Sequence, residues 1–188
     1  MKKLLLASAA LLLGVTAANA QSYVSILGGP TFAPGINVSG VKNEMDTGFN
    51  VGARYGYHLS DWNLPNVSVE ADGFFNRSTF KAANAGRIES SSYMANLIYH
   101  LPTNSPFEIY GGAGIGAVQT NFDNNAGNHG GSTVLGWQAL GGLDYRVSEQ
   151  ASLFAEYRYQ NAHNVNAGGL TQIGNTSNNM SVGVKWRL

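Results

Sequence analysis

The side chains able to do acid–base chemistry are few and balanced: 11 Lys and Arg, 11 Asp and Glu, and four histidines in 188 residues. His58, His100, His129 and His163 stand far apart, and none has the one-turn spacing of a metal-binding pair. With no cysteine, thiol nucleophiles and cysteine-ligated zinc or iron–sulfur sites are excluded. The run from Gly111 to Gly116 has the composition of a phosphate-binding loop, but no helix pattern follows it. Asp123-Asn124-Asn125-Ala126-Gly127-Asn128 offers oxygen ligands without the bidentate Glu that completes a calcium loop. There is no Gly-x-Ser-x-Gly nucleophile elbow. No catalytic residue, cofactor or metal site is therefore expected. What the charges do show is placement. Arg54, Glu70, Asp72, Glu108, Asp144, Arg146, Glu156, Arg158, Lys185 and Arg187 all occupy the polar phase of alternating segments. With His100, they form an expected internal charge network whose role is structural: buried charges must be paired.

Period two dominates the segments that carry these residues, and the period of an amphipathic helix is nearly absent. Seven runs alternate: 47–59, 67–76, 93–101, 107–117, 135–147, 151–160 and 180–188. Gln21 to Ala33 is an eighth, less regular candidate. Short connections fall at 60–66, 102–106 and 148–150, and long polar ones at 34–45, 78–90, 120–131 and 161–178. All long connections thus lie at one end of the sheet. This is the layout of an up-and-down, eight-stranded antiparallel transmembrane β-barrel. On the apolar phase, Tyr57, Tyr93, Tyr99, Phe107, Trp137, Tyr145, Tyr157, Tyr159 and Trp186 are placed to form aromatic girdles against lipid. A secreted β-sandwich also alternates, but it would carry more Lys and Glu on its wet face and would not segregate its long connections.

The turns suggest pairings. A turn centred on Asn63 sets Arg54 opposite Asp72 with Glu70 nearby, and one centred on Asn104 sets His100 opposite Glu108. Gly112, Gly114 and Gly116 face inward and make room for long neighbours. Eight strands enclose a space that side chains fill, which favours a plugged interior over a pore.

Residues 1–20 stand apart. Met1-Lys2-Lys3, an apolar stretch through Val15, and Ala18-Asn19-Ala20 read as a secretory signal peptide cleaved before Gln21, leaving the barrel as residues 21–188. Loss of Lys2 and Lys3 leaves nine basic residues against 11 acidic ones, so nothing favours nucleic acid as a partner. Charged residues are 12% of the chain and glycines number 24, both unusual for a soluble domain.

The glycine-rich strand Ile109-Tyr110-Gly111-Gly112-Ala113-Gly114-Ile115-Gly116, the strand Glu156-Tyr157-Arg158-Tyr159 and the ending Met180–Leu188 resemble the OmpA-like and opacity-protein (porin-family surface antigen) barrels of Gram-negative outer membranes. That resemblance covers the mature chain. It implies residence among outer-membrane lipid and lipopolysaccharide, and handling by periplasmic chaperones and the insertion machinery. The insertion signal would comprise Val182, Val184, Trp186 and Leu188, where the family usually ends in Phe. No peptidoglycan-binding domain is expected after the barrel. The implied function is non-enzymatic: an envelope role, with external loops available to a host or surface ligand. A small channel or transporter is the alternative. His163-Asn164-Val165-Asn166-Ala167-Gly168 is also similar to a His-x-Ser-Asn-Ala-Gly segment of outer-membrane lipid A deacylases. Val165 stands at their nucleophilic serine and has no hydroxyl to transfer an acyl group, so hydrolase activity is not expected.

Overall fold

A computed structural model describes residues 21–32, 36–38, 41–43, 45–79, 81, 87–123, 129–167 and 170–188. Residues 1–20, expected to be a signal peptide, and residues 124–128 of the calcium-like loop lie outside these. Side chains are described for 21–32, 45–79, 81, 87–121, 131–162 and 176–188.

Eight long strands close into an antiparallel barrel: β1 (Ser22–Phe32), β4 (Gly48–Leu59), β5 (Leu64–Thr79), β6 (Arg87–Leu101), β7 (Phe107–Asp123), β8 (His129–Arg146), β9 (Ala151–Ala167) and β10 (Leu170–Arg187). β2 (Ile36–Val38) and β3 (Val41–Asn43) form a small hairpin inside the first long connection. Consecutive strands pair, and β1 closes on β10. At the short-connection end, Asn63 takes a left-handed conformation (φ 60°) after the single turn Ser60–Trp62, a conformation asparagine tolerates better than most residues.

Closure satisfies every wall strand on both sides, which a bilayer demands because lipid offers no hydrogen bonds. The period-two phase then becomes inside and outside. Ile26, Val51, Val69, Tyr93, Leu97, Tyr99, Phe107, Ile109, Ile115, Trp137, Leu143, Tyr145, Tyr157, Val182 and Trp186 are all exposed on the outer surface. Serine, asparagine, glutamine and charged side chains fill the interior. This is the inverse of a soluble protein and excludes the sandwich alternative.

Three features differ from the alternation pattern. The strands run further into the long connections than expected: Asn161 pairs with Thr176, and Arg77 with Glu89. Those stretches are rich in Asn, Ser, Thr and Gly, and their few apolar residues carry no period-two signal. His129 and His163, expected in loops, accordingly lie within β8 and β9. Leu59, expected outward, is buried because a register shift follows His58.

Candidate functional site

The barrel interior is where the ionisable residues meet. On β4, Arg54 points inward between β1 and β5, opposite Asp72 in the ladder as expected. Its guanidinium nevertheless reaches across the lumen. Arg54 Nη2 donates to both carboxylate oxygens of Glu156 on β9, at 2.8 and 2.7 Å, and Nη1 lies 3.5 Å from Glu70. Arg158, two residues beyond Glu156 and on the same face, donates to it at 2.9 Å and pairs with Asp72 at 3.2 Å. Asp72 also accepts from Asn96 (2.8 Å) and Gln138 (3.0 Å). One polar chain thus links β4, β5, β6, β8 and β9 through the middle of the barrel, with every member buried.

Apolar groups cross the lumen at the same depth. Leu27, Phe74, Ile98, Tyr110, Leu140 and Phe154 form a buried cluster. The Arg158 guanidinium lies 4.3 Å from the centre of the Phe74 ring, and that of Arg54 5.5 Å from Phe154. Such stacking satisfies guanidinium faces that receive no hydrogen bond. Inward glycines provide the room. A Cβ on Gly142 would stand 2.5 Å from the Tyr110 hydroxyl, one on Gly183 2.5 Å from the Phe154 ring, and one on Gly112 2.5 Å from Ile98. Gly114 and Gly116 likewise leave space for Asn96 and Met94.

Nearer the short-turn end, Lys185 pairs with Asp144 at 2.6 Å, its ammonium close to the rings of Tyr23 and Tyr110. Tyr23 donates to Glu70 at 2.6 Å and Tyr110 to Glu156 at 3.0 Å. Below them, His100 Nδ1 lies 2.7 Å from Glu108, His100 Nε2 lies 2.8 Å from Ser68 Oγ, and Ser68 Oγ lies 2.9 Å from His58 Nδ1. The contact between His100 and Glu108 holds, although the ladder pairs His100 with Tyr110. With Glu108 ionised, His100 Nδ1–H donates to it. A neutral His100 then accepts from the Ser68 hydroxyl at Nε2, and Ser68 accepts from His58.

A hydroxyl, an imidazole and a carboxylate in this order are the parts of an acyl-transfer triad. Here they lack its setting. Ser68 is fully buried, held between two histidines, and sits in a strand paired on both sides, so no adjacent N–H groups face an oxyanion beside it. Among the described residues, no group of His, Asp and Glu is arranged to hold a metal.

Two residues expected in the network stand outside it. Arg146 is exposed at the short-turn rim, and Arg187 is half-buried there, within 3.5 Å of the Glu149 carbonyl. Both end strands, where the inward phase opens to water. Conversely, Tyr23, Tyr110, Ser68, Asn96 and Gln138 join the network without having been singled out. The sequence signal for Tyr23 was Gly56, its inward-facing ladder partner, which leaves space for the ring.

The sequence matches the outer membrane protein beta-barrel domain over residues 5–187. The chain belongs to that family. It is accordingly an eight-stranded barrel of the Gram-negative outer membrane. Among solved structures, it is similar to Neisserial surface protein A (TM-score 0.67, 21% identity, covering 92% of this chain and 100% of that one). It is also similar to the outer membrane protein OprG from Pseudomonas aeruginosa (0.57, 19%, covering 89% and 97%). A third is Ail, the attachment invasion locus protein of Yersinia pestis, crystallised with the heparin analogue sucrose octasulfate (0.56, 17%, covering 89% and 98%). These likenesses establish the shared fold. No curated protein sequence matches significantly.

Proposed function

We propose that this protein is a sealed, non-enzymatic barrel of the outer-membrane envelope that offers its external connections for contact with a surface or host ligand. The observation that carries the reading is the ion chain Arg54–Glu156–Arg158–Asp72, which runs from one wall to the other with every member buried. An eight-stranded lumen has little room beyond what side chains occupy, and this one is filled by paired charges and rings. Opening an aqueous path would separate those charges in a confined space, at a cost of several kcal/mol per ion. The contact role rests on the four long polar connections, which gather at one end of the wall.

Single-channel recording on the refolded protein in planar bilayers tests the sealed reading. A flat baseline is expected, and uniform, persistent conductance steps would overturn it in favour of a small channel. Binding of labelled cells or vesicles carrying the protein, with and without the connections cut to short turns, tests the contact role. Unchanged binding would remove it.

A further inference from the structure

We infer that a hollow in the outer wall over β8, β9, β10 and β1 binds one acyl chain of a phospholipid from the periplasmic leaflet. Alternation along these strands sends every second side chain toward lipid, and most of those are large. Here the series is broken. Gly28 on β1 and Ala155 on β9 take outward positions on either side of Val182, and Gly183 beside it brings no side chain to the inner face. The wall is thin there, so the buried Leu27 and Phe154 form part of the floor. Ile26, Leu143 and Leu153 stand round it, each about half exposed.

Its chemistry admits only hydrocarbon. The hollow measures about 830 Å³, within the ~300–1,000 Å³ of sites that hold small molecules. No charged residue lines it, and Tyr145 is its only lining residue with a polar side-chain group. Association inside a bilayer draws on dispersion contact, since lipid tails are as apolar as the wall itself. A chain passing over a convex face of leucines touches protein on one side. A chain in this hollow touches floor and rim together, which distinguishes a held chain from its neighbours. A second barrel fits poorly, because its own convex wall cannot enter a recess cut across the strands.

Position and length select the leaflet. Phe107 and Tyr145, whose rings meet at 4.8 Å, bound the hollow at the short-turn end, where they belong to the periplasmic girdle. From there the lining follows the ladder rows through Leu153, Val184 and Ile26 to Val51, well inside β4. Tyr145 and Val51 stand four strand spacings apart, about 19 Å. With strands tilted by about 40°, that path climbs about 12 Å along the membrane normal. One leaflet's share of the hydrocarbon core is about 15 Å. The hollow therefore starts at the periplasmic interface and ends near the midplane, as a chain of that leaflet does. A smaller hollow of about 410 Å³ shares Gly28, Ala155 and Val182 with it and continues toward Pro30 and Met180. It lies over the seam where the β1–β10 ladder skips Gly29 and Pro30, so the end of a long chain covers the least bonded part of the wall.

The test counts lipid on the full-length protein extracted from outer membranes in mild non-ionic detergent, by native mass spectrometry. The probes added back are phosphatidylethanolamine and lipid A. The wild type is expected to keep one phosphatidylethanolamine after washing. Ala155→Leu, which fills the floor from the lipid side, should lower that occupancy about tenfold. Ala139→Leu, also outward but outside the hollow, should leave it unchanged. The fold of both is checked by mobility on an unheated gel. Phosphatidylethanolamine carrying a diazirine midway along its acyl chain should crosslink to peptides of β9, β10 and β1 in excess of those of β5 and β6. Even labelling around the wall overturns the inference, and so does equal retention of lipid by the two variants. Retention of lipid A in place of phosphatidylethanolamine overturns the assignment to the periplasmic leaflet. Dimers that Ala155→Leu abolishes would give the hollow to a second copy and overturn the lipid. None of these outcomes depends on whether the lumen conducts.

Discussion

At the scale of the residue, the buried charges are consistent only as a set. Arg158 touches Glu156, Asp72, Gln138 and the face of Phe74 and is fully buried. Arg158→Leu keeps much of the volume but leaves Glu70 and Glu156 on the one remaining guanidinium, Arg54, and Asp72 with no cation in contact. Removing one partner of a buried pair costs about 3–5 kcal/mol, because an uncompensated charge stays behind. We expect this variant to unfold well below the wild-type temperature, followed as the loss of cold-gel mobility on stepwise heating. Asp72→Asn should cost less, because the amide retains an oxygen for Asn96 and Gln138 and removes a negative charge from a chain with more carboxylates than guanidiniums. If the two variants were equally stable, the energetic argument for the chain would fail.

At the scale of the element, the closing seam between β1 and β10 is the distinctive one. Its ladder pairs Gly28 with Val182 and Thr31 with Asn179 but skips Gly29 and Pro30 between them. Proline has no N–H to give the opposite strand. The Asn50 side chain, reaching from β4 past Gly29, donates instead to the carbonyls of Pro30 (2.8 Å) and Met180 (3.2 Å), while Ser181 donates to Asn50 Oδ1 at 2.7 Å. Carbonyls left bare in a wall facing lipid cost several kcal/mol each in the limit, and about 1–3 kcal/mol where neighbours relax. Asn50→Leu should therefore lower the temperature at which the barrel opens, whereas Asn50→Gln should recover part of the loss. Gly56→Val should be as damaging for a steric reason, since Tyr23 occupies the space its side chain needs. How much of this was legible differs by element. Strand phase was, so Arg54 against Asp72 followed from the turn at Asn63. The bond from Arg54 to Glu156 was not, because alternation says that both point inward but not which strands face each other across the lumen. The phase of β1 was not readable either. Its Gly28-Gly29-Pro30 stretch offers no alternation, which left Tyr23 unassigned. The far ends of β9 and β10 were read as loop because their sequence, dominated by Asn, Gly and Thr, does not alternate.

At the scale of the whole molecule, the controlling fact is that the exposed apolar surface is a belt with a defined height. An exposed leucine on a soluble protein is replaced by arginine at almost no cost, but on this wall the cost must depend on depth. Leu97, 58% exposed, lies outward on β6 between the girdles, two steps from Tyr93 and one from Tyr99. Leu135, 64% exposed, lies outward on β8 beyond Trp137, at the external edge of the belt. By area alone the two substitutions should be equivalent. In a bilayer, Leu97→Arg should destabilise the folded barrel by about 2–4 kcal/mol and Leu135→Arg by no more than about 1 kcal/mol. Equilibrium unfolding from lipid vesicles with denaturant measures both. The asymmetry should shrink in small detergent micelles, whose polar groups and water lie closer to Leu97. Equal costs in vesicles would mean that Leu97 does not lie deeper in the hydrocarbon than Leu135, and the belt would have no defined height.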